Sequence, residues 1–74
     1  MISLENTKAG QAYRVTWMLG EYADYLKKTW NLSENDVMQV LYNNGRSMIV
    51  TFKGRKLALS ADVARSVKLE AVTA

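Results

Sequence analysis

The sequence predicts a small, mainly β domain of about five strands, one α-helix over about 21–30 and a short helical turn over about 61–65. Three observations lead there. Apolar and polar residues alternate with period two in five separate stretches. Glycine and asparagine punctuate those stretches at hairpin spacing, with no proline anywhere in the chain. One stretch alone has an unambiguous helical period.

Gly10 closes an N-terminal segment that reads as polar, and Ala12 to Leu19 reads as a first strand. Tyr13, Val15 and Trp17 share one face of it, Arg14 and Thr16 the other. Gly20 ends the strand. From Glu21 to Trp30, Tyr22, Leu26 and Trp30 recur at i, i+4 and i+8, with Tyr25 beside them. Glu21 and Asp24 stand in the first turns and Lys27 and Lys28 near the end, as the helix dipole favours. Asn31 suits the left-handed position after a helix.

The next stretch has two readings. Ser33-Glu34-Asn35-Asp36 resembles a capping box, and Val37, Met38, Val40 and Leu41 then fit a helix capped by Gly45. Two helices before a hairpin would be the outline of a winged-helix nucleic-acid-binding domain. Read instead as a strand, Met38, Val40 and Tyr42 face inward, and Asn44-Gly45 is a type I′ hairpin turn. The strand reading accounts for more of the chain beyond Gly45. Met48, Val50 and Phe52 alternate with Ile49, Thr51 and Lys53 over residues 46–53, Gly54-Arg55 supplies a Gly-first turn, and Leu57 and Leu59 alternate beyond it. Ser60 can cap a helical turn over Ala61 to Arg65, and Val67 and Leu69 form a last strand. Strands this short, with two helical pieces, suit a closed barrel of the SH3-like kind, which also removes exposed sheet edges.

From Gly10 onward the landmarks resemble the ferrous-iron transport protein A (FeoA) family. Leu4 and Gly10 stand for its lead-in. Trp30-Asn31-Leu32-Ser33-Glu34-Asn35 corresponds to its helix end and following turn, with asparagine in place of both family glycines, as a positive φ allows. The stretch Met48 to Leu59 is similar to the family's alternating strand, glycine turn and Leu-Ala-Leu strand, and Ser60 to Leu69 to its closing helical turn and final strand. The resemblance implies one SH3-like domain over 1–74, cytoplasmic and non-enzymatic. It implies a role assisting or regulating the membrane-embedded ferrous-iron transporter B by contact with that transporter's cytoplasmic GTPase region. The same fold serves as the C-terminal domain of metal-dependent repressors, so a DNA- or RNA-binding domain is the alternative. A chain of 74 residues with no DNA-binding unit of its own favours the transport role.

The chemistry of the chain fits an accessory protein. Histidine and cysteine are absent, which excludes Ser-His-Asp and Cys-His catalysis and the ligands that best hold ferrous iron or zinc. No P-loop pattern occurs. Glu21 with Asp24, and Glu34 with Asp36, read as solvated charge rather than cation sites. No cofactor is expected. The N terminus lacks the pattern of a signal peptide, and no apolar run is long enough to span a bilayer.

The net charge of +3 is well short of a dedicated nucleic-acid binder, and none is expected as partner. At the inner membrane face such a charge gives weak attraction to anionic headgroups. Trp17, Tyr22, Tyr25 and Trp30 gather at one strand–helix corner, either filling the core or leaving Tyr25 or Trp30 exposed as an anchor. Lys53, Arg55 and Lys56, with Arg46 on the preceding strand, form either a solvated hairpin tip or a patch steering an acidic partner. The candidate partner-binding residues are therefore Tyr22, Tyr25, Trp30, Lys53, Arg55 and Lys56.

Overall fold

A computed structural model describes residues 1–72. The elements in chain order are β1 (Ile2–Ser3), a 3-10 turn (Leu4–Asn6), β2 (Ala12–Met18), α1 (Glu21–Thr29), β3 (Val37–Asn43), β4 (Ser47–Phe52), β5 (Arg55–Ser60), α2 (Ala61–Ala64) and β6 (Val67–Ala71). All the strand pairs are antiparallel, in the order β1-β6-β2-β3-β4-β5. The sheet curls around one core in a small SH3-like barrel. Val15, Met38, Val40, Met48, Val50, Leu57, Val67 and Leu69 line it from the strands, and Leu26 and Leu32 close it from the α1 side.

The strand reading of residues 37–43 is the one realised, for a local reason. Ser33 and Asp36 use their capping-box chemistry to close a turn: the Ser33 amide donates to Asp36 Oδ2 at 2.9 Å, and the Asp36 amide to the Ser33 carbonyl at 3.2 Å. Asn31 and Asn35 have φ of 58° and 73°, as expected where asparagine replaces glycine. The Asn35 amide then reaches the Val15 carbonyl, and the Val15 amide the Asp36 carbonyl, both at 2.8 Å. That clasp starts β3 alongside β2 and leaves no helix to begin.

Two β-bulges overturn the simple alternation. On β2, Thr16 is the extra residue between Val15, opposite Leu69, and Trp17, opposite Lys68. Its hydroxyl donates to the Lys68 carbonyl at 2.8 Å. The slip turns Trp17 outward, 39% exposed, and seats Met18 in the core in its place. On β3, Leu41 is the extra residue between Val40 and Tyr42, so Tyr42 faces solvent rather than inward.

Both hairpin turns differ in type from the expectation. Type I′ needs positive φ at both central residues, and at Asn44-Gly45 only Gly45 has it. That connection is a longer turn closed by asparagine side chains, with Asn44 Oδ1 accepting from the amides of Arg46 and Ser47. The second turn is Lys53-Gly54, not Gly54-Arg55. Phe52 pairs with Arg55, and φ is 51° at Lys53 and 75° at Gly54, the I′ pattern.

The N-terminal segment is no polar lead-in. Leu4 is buried, Ile2 pairs with Leu69, and Asn43 Nδ2 donates to the carbonyls of Glu5 and Thr7. Ser60 precedes α2 without a side-chain cap bond. The barrel is also not closed by hydrogen bonds: among the described residues β1 and β5 stand at the two ends of the sheet, and β5 keeps a free edge. No helix of the described residues is long and apolar enough to cross a membrane.

Candidate docking surface

Helix α1 buries Ala23 and Leu26. Tyr22, expected on that buried face, is instead 49% exposed, as is Tyr25 one turn on. The reason is rotational: alanine and leucine fill the narrow space over the sheet, and the tyrosines flank it. Trp30 follows the last helical residue and is half-buried against the core, with its Nε1 donating to Tyr25 Oη at 3.2 Å. Leu19, 70% exposed just before Gly20, extends the apolar surface at the start of α1. In the sequence Leu19 continues the alternation of Tyr13, Val15 and Trp17, so its exposure follows from the Thr16 bulge and carried no local signal.

The basic residues of the β4–β5 tip reach back to this helix. Lys53 Nζ donates to the Asn31 carbonyl at 2.7 Å and lies 3.3 Å from Asp36 Oδ2. Arg55 donates through Nη2 to the Trp30 carbonyl at 2.6 Å, with its guanidinium carbon 5.5 Å from the Trp30 ring centroid and 6.0 Å from that of Phe52. Carbonyls just past the C-terminus of α1 thus meet cations, which satisfies orphan acceptors and the negative end of the helix dipole. The left-handed conformation of Lys53 sends its side chain toward α1, while Arg55, across from Phe52, shares that residue's side of the sheet.

Four of the six sequence-derived candidates therefore come together: Tyr25, Trp30, Lys53 and Arg55. Tyr22 lies one turn away on the same helix. Lys56 does not join them, because the alternation along β5 places it on the opposite side from Arg55, across from Thr51. Arg46 is removed as well, at the far end of β4, about 17 Å along a strand of that length. The basic patch read from the sequence is thus divided. Two of its members are structural partners of α1.

The described residues contain no pocket and no group of three or more potential metal-ligating His, Cys, Asp or Glu side chains. Glu34 is placed 3.8 Å from Lys27, and Asp36 is engaged by Ser33 and Lys53. The surface can offer a partner aromatic contact area and hydrogen bonds at its rim.

Comparison with solved structures assigns the architecture. A crystal structure of an iron uptake regulatory protein (FeoA) superposes with a TM-score of 0.86 at 20% identity, covering 96% of this chain and 97% of that one. The FeoA fold is the fold of this chain. An NMR structure of a FeoA-like protein from Clostridium acetobutylicum also gives a TM-score of 0.86, at 13% identity over 99% of this chain and 88% of the other. A manganese-dependent transcriptional repressor in complex with manganese gives 0.85 at 14% identity, over 95% of this chain but only 36% of the repressor. No family model matches the sequence. No curated protein matches it either. At these identities the likeness to FeoA proteins is one of fold.

Proposed function

We propose that this chain is a FeoA-type accessory protein of ferrous-iron uptake. It acts without catalysis, by contact with the cytoplasmic GTPase region of the ferrous-iron transporter B. The observation that carries the reading is the near end-to-end match with two FeoA-type structures, over 97% and 88% of their length, against 36% of the repressor. The docking face is the outer side of α1, with Tyr22 and Tyr25 as anchors and Leu19 beside them. Trp30, Lys53 and Arg55 position that face from beneath. Nucleic acid is the weaker reading, because Arg14, Lys53, Arg55 and Arg65 are all engaged with groups of the chain itself. Any attraction to an anionic membrane surface falls to the remaining lysines and Arg46, and is weak.

The test is capture of the transporter's soluble GTPase domain by this chain without nucleotide, with GDP and with GTP. Binding in at least one state is expected, weakened at least about tenfold by Tyr22→Ala or Tyr25→Ala, as for exposed aromatic anchors. No capture in any state, or capture unchanged by both substitutions, overturns the proposal.

A further inference from the structure

We propose that β5 is a dimerisation edge, on which a second copy of this chain adds its own β5 antiparallel about a two-fold axis at Ala58. The ladder register shows which groups are free. Phe52–Arg55 closes a two-residue hairpin, which makes it a hydrogen-bonded pair, and every second pair along the ladder is then of the same kind: Val50–Leu57 and Met48–Leu59. The Ala61 amide, donating to the Arg46 carbonyl at 2.9 Å, continues that alternation past the strand end. The backbone groups of Lys56, Ala58 and Ser60 therefore point away from β4.

Natural proteins blunt such an edge with proline, a bulge, charged side chains or a very short strand, and of these β5 carries only charge, confined to its first two residues. Six residues long, β5 has no proline and pairs with β4 in unbroken register. The opposite end of the sheet is β1, only two residues long.

Two features select a second copy as occupant. The first is a row of side chains on the outer face of the sheet. Tyr42 opposes Ile49, and Ile49 opposes Ala58, so an apolar row runs across three strands and stops at the free edge. Tyr42 is 47% exposed, and Ala58 is exposed as well. A two-fold at Ala58 continues the row through the mate's Ala58, Ile49 and Tyr42. A small side chain on the axis lets the two meet without a clash. The second is charge order. Arg55 is held by Trp30, so the free cation near the start of β5 is Lys56, and Asp62, exposed and shared with Arg65 at 2.9 Å, lies two residues past the strand's end. Antiparallel pairing about Ala58 sets Lys56 across from Ser60 of the other copy and brings each Lys56 toward the Asp62 end of its mate. Parallel in-register pairing would place Lys56 against Lys56.

Sedimentation velocity from micromolar to millimolar concentration, with amide hydrogen exchange read at single residues, tests this. A monomer–dimer equilibrium is expected, with the amides of Lys56, Ala58 and Ser60 gaining protection as concentration rises while those of Leu57 and Leu59 stay protected throughout. Ala58→Lys sets two like charges on the axis and raises the dissociation constant at least about tenfold. Circular dichroism checks its fold. If that variant fails to fold, the exchange pattern of the wild-type chain decides alone. A monomer at every concentration, a dimer that folded Ala58→Lys leaves intact, or concentration-dependent protection located elsewhere overturns the proposal.

Discussion

Arg55 grips Trp30 twice: its guanidinium lies 5.5 Å from the indole centroid while Nη2 donates to the Trp30 backbone carbonyl at 2.6 Å. One side chain from the β4–β5 hairpin thus fixes both the ring and the backbone where α1 ends. Contacts that are 25 residues apart in sequence hold the helix on the barrel. The exposure of Tyr22 and Tyr25 depends on how that helix is seated.

Arg55→Ala removes the stacking partner and leaves the Trp30 carbonyl to solvent. A cation–π contact at a partly exposed site is worth about 0.5–1 kcal/mol and a charged hydrogen bond somewhat more. The variant is expected to lose about 1–2 kcal/mol, and each kcal/mol lowers Tm by about 4–8 °C in a domain of this size. Arg55→Lys keeps the charge but not the planar stack, and recovers only part. Thermal unfolding followed by tryptophan fluorescence measures both. Arg55→Ala with an unchanged Tm would reduce the contact to surface ornament.

Lys53 separates two demands on one residue. Its φ of 51° satisfies the I′ turn, and its side chain reaches Asn31 and Asp36. An exposed ion pair is worth at most about 1 kcal/mol, comparable to the cost of holding lysine in the left-handed region. Lys53→Asn makes the turn Asn-Gly and is expected to stay within about 0.5 kcal/mol of wild type, since turn gain offsets contact loss. Lys53→Val has neither advantage and is expected to lose about 1–2 kcal/mol. Urea denaturation of the two variants distinguishes them; equal losses would mean that the side-chain contacts outweigh the turn.

The parts of the fold written locally in the sequence were legible. Period-two stretches gave the strands from Val37 to Leu59, and the sole strong helical period gave α1 within one residue of its observed end. Asn31 and Asn35, standing where the resembling family has glycine, were expected to have positive φ and do. What escaped depends on pairing between distant strands. The bulges at Thr16 and Leu41 are set by registers against β6 and β4, so nothing within β2 or β3 marks Trp17 or Tyr42 as outward. The turn at Lys53-Gly54 escaped because lysine is an unusual first residue for type I′. At the candidate site, the aromatic and basic groups were each visible. Their union through Arg55 and Lys53 was not, because it needs the three-dimensional approach of the hairpin tip to the helix end.

Asn31 is the hinge between α1 and the Ser33–Asp36 turn. With φ at 58° it ends the helix, and its carbonyl is presented to Lys53. Asn31→Ala keeps the chain length but not the tolerance for the left-handed region, and is expected to cost about 1 kcal/mol. Asn31→Gly removes the steric penalty and is expected to match or exceed wild-type stability by a few tenths of a kcal/mol, about the margin between these residues at such positions. Thermal midpoints in the same buffer test the order Gly, Asn, Ala; alanine equal to glycine would show that the turn relaxes out of this conformation.

Leu4 tests whether the N-terminal segment belongs to the core. At 1% exposure it is among the most deeply buried side chains, although Ser3, Glu5, Asn6 and Thr7 surround it in sequence. Buried Thr7 donates its hydroxyl to the Leu4 carbonyl at 2.7 Å, and Arg65 reaches Glu5 Oε2 at 3.0 Å across from α2. Truncating a buried leucine to alanine costs about 2–5 kcal/mol, a large share of the about 5–15 kcal/mol that a native domain has in total. Leu4→Ala is therefore expected to lower Tm by at least about 10 °C. The neighbouring Glu5→Ala removes a half-buried partner of the exposed Arg65 and is expected to stay within about 1 kcal/mol. Leu4→Ala that unfolds like wild type would mean that the segment lies on the barrel without stabilising it.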